Sequence, residues 1–181
     1  MTAITATYNR IAALLGRLAP LLLPVLARLV FAGVLLGYFW SSGLTKLGPD
    51  LLTPSQGAYA QIFPRAFEAA GYDVAQLGLW PRLVVLAGTA AEFLLPLMIV
   101  LGLLTRLAAL GMIGFVALQS LTDIFGHKAG PGTVGAWFDA ASDAAILDQR
   151  ALWLILLAVL LMKGAGALSV DALVARLGNR A

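Results

Sequence analysis

A single carboxylate inside a long apolar run is the most consequential residue of this sequence. Arg82 and Arg106 bracket 23 residues, 83 to 105, and Glu92 is the one charge among them. Ten residues separate it from Arg82, roughly 15 Å of helix rise. If the run crosses a bilayer, the carboxylate is expected well inside the hydrocarbon. A charge there is costly, and such groups face a bundle interior with a partner. Two roles fit. One is an acid that handles protons or anchors a ligand. The other is a buried acid, neutral or ion-paired, that pins helix packing.

Other polar groups fall at related positions. Thr89 precedes Glu92 by three residues and shares its helix face. Tyr38, Ser41, Ser42, Thr45 and Lys46 gather at the end of the preceding apolar run. Gln119 and Asp123, four apart, close the following run, with His127 just beyond. If the runs are antiparallel helices, all these groups share one half of a bundle. That arrangement suggests a polar pocket opening outward, with Glu92 at its floor and Lys46 or His127 as its partner. Alternatively, the hydroxyls satisfy backbone carbonyls or bond between helices. Asp123 and His127 alone make no metal site, and none is expected. Gly33, Gly37 and Ser41 form a small-xxx-small stripe that permits close helix approach, within the chain or between copies. Trp40, Trp80, Trp137 and Trp153 read as interfacial or packing residues.

The elements that must hold these groups follow from composition. Hydrophobic residues are 61% of the 181, and charged residues 12%; a domain of this size leaves too much surface in water to hide that excess. Lipid is the natural solvent. Cysteine is absent, which removes disulfides, thiolate metal sites and iron–sulfur ligation. The net charge of +3 comes from basic residues at the edges of apolar runs, so they read as membrane-end anchors and not as a nucleic-acid surface.

Charges divide the chain into four spans, about 25–46, 81–103, 105–124 and 148–168, inside a domain of residues 21–171. Between their bracketing charges the runs hold 17, 23, 16 and 12 residues, against the roughly 20 a spanning helix needs. The last is therefore expected to continue past Lys163 through Gly164–Val170. Residues 1–20 carry Ile4, Tyr8, Ile11, Leu14, Leu15 and Leu18 at helical spacing, opposite Arg10 and Arg17. They are read as an amphipathic interfacial helix, with Pro20 and Pro24 at the bend into the first span; a soluble helix is the alternative. This start lacks the layout of a signal peptide and is expected to be retained. Short helices are expected in both long connections, notably over Gln56–Ala70, and residues 172–181 form a tail. The fold class is all-α, a four-helix transmembrane bundle. Seven basic residues on the terminus side (Arg10, Arg17, Arg28, Arg106, Lys163, Arg176, Arg180) against five on the other favour cytoplasmic termini.

Several short elements in order resemble the DoxX family of small bacterial membrane proteins. They are Arg28 opening the first span, Gly43-Leu44-Thr45-Lys46-Leu47 closing it, Glu92, Leu101–Arg106 at the hairpin, and Gly164–Asp171 after the fourth span. Members often carry Gly-Pro-Gly where this chain has Gly164-Ala165-Gly166, and the connection 124–150 is longer than usual. The resemblance implies a four-helix bundle in the inner membrane and a place beside an oxidoreductase, as in subunits of a thiosulfate:quinone oxidoreductase. It is compatible with a quinone as ligand and with partner subunits, while the stripe Gly33, Gly37 and Ser41 offers a contact for a homo-oligomer. No covalently bound cofactor is expected, and no catalysis by the chain alone. A structural or accessory role, or a small homo-oligomeric transporter, are the alternatives.

Overall fold

A computed structural model describes residues 3–178; Arg180 and the end of the expected tail lie outside them. Four helices are long and apolar enough to cross a membrane: α1 (Ala3–Lys46), α4 (Leu79–Leu101), α5 (Thr105–Gly126) and α7 (Ala145–Lys163). A small hairpin, β1 (Leu47–Asp50) and β2 (Thr53–Pro54), follows α1. Next come α2 (Gln56–Ile62) and α3 (Pro64–Ala69). Helix α6 (Pro131–Val134) lies in the second long connection, and α8 (Val170–Gly178) closes the described chain. We call the end of the bundle holding both long connections the loop side, and the other the terminus side.

The first helix departs from expectation. The sequence places a bend at Pro20 and Pro24, yet helix runs through both into the first span. Each proline removes one backbone hydrogen bond, a loss that apolar helices accommodate. Residues 3–18 extend away from the bundle: Ile4, Tyr8, Ile11 and Leu15 are all more than half exposed.

Within the span, Ala27, Phe31, Leu35, Phe39 and Gly43 are buried at a strict spacing of four. On a straight α-helix such a stripe drifts about 40° per step. A π-helical turn at Ala32–Leu36, with more residues per turn, takes back part of that drift. Phe31, Leu35 and Phe39 thereby meet Ile99, Met112, Leu157 and Leu160 in one core.

The fourth span corrects the sequence reading. It does not run past Lys163: Gly164 takes φ +77° and ends it there. The missing length comes from the other end, where a π-helical segment, Ala145–Arg150, precedes the α-helix.

The terminus-side end is tied by two residues. Arg28 donates to the carbonyls of Ile99 and Val100, which end α4, and to Ala165 and Leu168 beyond α7. Helix α5 has no side-chain cap of its own. Asp171 supplies one, accepting from the Leu104 amide at 2.7 Å and from the amide and hydroxyl of Thr105 at 3.0 and 2.9 Å. Burial works to raise the Asp171 carboxyl. Its bonds to Thr105 and Leu104, and the Arg28 charge, more than offset this and hold it below the ordinary value.

Candidate functional site

Glu92 and Lys46 form a buried ion pair at 2.9 Å, the two residues only 3% and 5% exposed. Lys46 Nζ also donates to the Ser42 hydroxyl at 2.7 Å and, more weakly, to the Ser42 carbonyl. Ser42 Oγ in turn donates to Glu92 Oε1 at 3.0 Å. The lysine's three N–H groups are thus all used, and Glu92 Oε1 accepts twice. Glu92 Oε2 is buried with no partner among the described residues.

Local structure explains why Lys46 stays. The last carbonyls of an α-helix lack intrahelical partners. Here the Ser55 hydroxyl donates to Thr45 O and the Ser55 amide to Lys46 O. Ser55 also caps α2 by accepting from the Ala58 amide. Helix α2 is therefore stapled to the end of α1, and Tyr59 and Ala58 pack with Phe67 and Val85 as a small core above the pair.

That cap changes the depth of Glu92. Ser42 and Glu92 are level, and Gly43 lies against the Phe93 ring. Lys46, one turn further, is level with about Thr89. The ten residues before Thr89 in α4 thus stand beyond the end of the first span, beside the cap. The 15 Å measured from Arg82 is largely taken up there, and Glu92 lies only about one turn, roughly 6 Å, below the end of α1.

A cleft of about 550 Å³ runs between α4 and α5 beside this pair. Glu92, Lys46, Ser42, Gln119, Asp123 and His127 all line it, with Gln61 and Ile62 of α2. Small residues, Ala87, Gly88 and Ala91 on α4 and Gly111 and Gly114 on α5, open it between the larger Val84, Leu95, Phe115 and Leu118. A methyl group at Gly114 would meet open space.

The remaining expected residues divide. Gln119 Nε2 donates to the Tyr38 hydroxyl at 2.9 Å, while Gln119 Oε1 is buried without a partner among the described residues. Asp123 pairs with Arg150 at 2.6 Å, and Arg150 also donates to Ser120. His127 meets the Gln61 carbonyl at 2.9 Å, so Lys46 and not His127 is the partner of Glu92. Thr89 is buried, but its hydroxyl turns back to the Val85 carbonyl and does not reach Glu92. Ser41 is exposed and lies outside the cleft. Gly33 and Gly37 are exposed too, with nothing in the described structure within 4 Å of a Cβ placed on either. Sequence reasoning passed over Arg150, reading it only as the edge of a span. Its 27-residue separation from Asp123 leaves no trace in one sequence.

A helical membrane bundle with a buried carboxylate–lysine pair beside an inter-helix cleft is the class this geometry defines. The family model of DoxX matches residues 23–128, more than half of the chain. The chain belongs to the DoxX family. Neither the curated proteins nor the solved structures contain a significant match.

Proposed function

We propose that this DoxX protein is the membrane subunit of an oxidoreductase-type system. Sited in a bacterial inner membrane with both termini cytoplasmic, it holds a quinone-type carrier in the cleft between α4 and α5. The observation that carries this reading is the state of Glu92: one carboxylate oxygen is fixed by Lys46 and Ser42, and the other is buried with no donor among the described residues. A buried acceptor without a partner costs about 1–3 kcal/mol, and a ligand bearing O–H groups offsets that cost. A hydroquinone head is such a ligand. The cleft volume of about 550 Å³ lies within the usual range for small-molecule pockets. The chain supplies no redox centre in this reading; it binds, orients and positions a carboxylate at the ligand's hydroxyl.

The structural alternative also has an observation behind it, since the same ion pair joins α1 to α4. Conduction is less well supported. The terminus-side half is filled by Ile99, Ala108, Met112, Leu157 and Leu160, each fully buried.

The test is extraction of quinones from purified protein, followed by titration with a short-chain quinol. We expect a stoichiometric quinone, and quinol binding weakened about tenfold or more by Glu92→Gln and by Gly114→Leu, which fills the cleft. Absence of both extracted quinone and quinol binding leaves the ion pair as a structural tie.

A further inference from the structure

A second groove, of about 550 Å³, lies on another face of the bundle between α1 and α7. Its walls are apolar: Val34 and Leu35 on α1, Leu152, Trp153 and Leu156 on α7. Tyr38 and Arg150 line it as well. Arg150 is 6% exposed, and its guanidinium is only partly satisfied. Its two terminal nitrogens donate to Ser120 and Asp123. Its Nε is buried with no acceptor among the described residues.

We infer that this groove binds an ester-linked bilayer lipid, with an acyl chain along Val34, Leu152 and Leu156 and an ester carbonyl accepting from Arg150 Nε. Three observations select that chemistry. First, the unmet group is a donor, so the occupant must bring an acceptor. Second, Asp123 at 2.6 Å already neutralises the arginine, so a neutral carbonyl suits the site better than a second anion, which Asp123 would repel. Third, Arg150 begins the uncharged run 151–162 of the last span. In the structure it lies about one and a half turns inside the span, which begins at Ala145, so it stands just below the headgroups, within reach of the ester carbonyls. Val34 and Leu152 are 61% and 70% exposed, so the groove is open to lipid along its length. A buried polar group without a partner is costly, and a lipid carbonyl entering beside Arg150 would supply the acceptor that its Nε lacks among the described residues.

The inference does not rest on the quinone reading and is tested apart from it. Delipidated full-length protein is titrated, by native mass spectrometry from detergent, with dioleoyl phosphatidylglycerol and with its dialkyl ether analogue, which lacks the carbonyls. One added hydrogen bond predicts about fivefold tighter retention of the ester lipid. Arg150→Lys keeps the charge opposite Asp123 but removes Nε, and it should abolish that preference. Leu152→Trp, on the exposed wall, should weaken both lipids. Gly114→Leu, in the other cleft, should leave the preference intact. Equal retention of ester and ether lipid by the wild type overturns the inference, and that comparison needs no variant to fold. So does a short-chain quinone binding this groove, as judged by sensitivity to Leu152→Trp, in place of the ester lipid.

Discussion

At the scale of single residues, the buried pair makes the sharpest prediction. Lys46→Ala leaves Glu92 buried without its ion-pair partner, and Glu92→Ala does the same to Lys46. Either should cost about 3–5 kcal/mol of stability, whereas Lys46→Met with Glu92→Leu should come within about 1 kcal/mol of the wild type. Thermal unfolding in detergent measures all three. Asp171 gives a pH prediction. Its folded value is lowered, so its contribution is fully present above the ordinary carboxyl value of about 3.9 and is lost as pH falls through the lower folded value. Asp171→Asn should cost about 1 kcal/mol at neutral pH and flatten that acid limb of the melting curve. Glu92 was legible from sequence because a charge inside an apolar run is conspicuous. Lys46 was legible as one of two candidates. For Thr89 and Ser41 the sequence left two readings open, because a hydroxyl on an apolar helix can return to its own backbone, as Thr89 does, or stand exposed on the helix surface, as Ser41 does.

At the scale of elements, the turn between α4 and α5 is a tight joint. Gly102 takes φ +69°, and a Cβ there would lie 2.5 Å from that of Ser169 and 2.9 Å from the Arg28 guanidinium carbon. Gly102→Ala should therefore destabilise by about 1–3 kcal/mol, while Gly114→Ala, facing open space, should be neutral or slightly stabilising in the same unfolding assay. The hairpin, α4 and α5 were readable from charge brackets alone. The ends of α7 were not. Its length was sought beyond Lys163 because Arg150 was taken as the outer limit of apolar sequence. The structure instead buries Arg150 against Asp123, which lets the helix begin five residues earlier, at Ala145. The β-hairpin at 47–54 was not legible, since Gly48-Pro49-Asp50 signals a bend without naming its partner.

At the scale of the whole molecule, an even number of spans puts both termini on one side and both long connections on the other. The natural chain has no cysteine, so single cysteines report cleanly. Asn9→Cys and Leu177→Cys should react with an impermeant maleimide from one face of sealed vesicles, and Ser142→Cys from the other. The exposed N-terminal part of α1 makes a further prediction. Residues 3–18 are almost wholly exposed, so removing them should shift the melting temperature by no more than about 2 °C. Trypsin should cut at Arg10 and Arg17 before it touches the bundle. Composition made the membrane class plain, and amphipathicity made the N-terminal helix plain. That the two are continuous was not visible, because proline is a breaker in water and only an interruption among apolar helices.

The π-helical turn in α1 carries a genetic consequence. Arg28 fastens the span at the terminus side and Lys46 fastens it at the loop side, so the number of residues between them is constrained at both ends. In a straight helix one inserted or deleted residue would swing one fastening about 100° away from its partner. A five-residue turn at Ala32–Leu36 holds one residue more than an α-helical turn of the same height needs. Deleting Val34, which faces outward, should thus be absorbed by conversion to ordinary α-helix with both fastenings kept, while deleting Tyr38 or Val30 should not. Reading frames that lose a codon here would survive, and those that lose one a turn away would not.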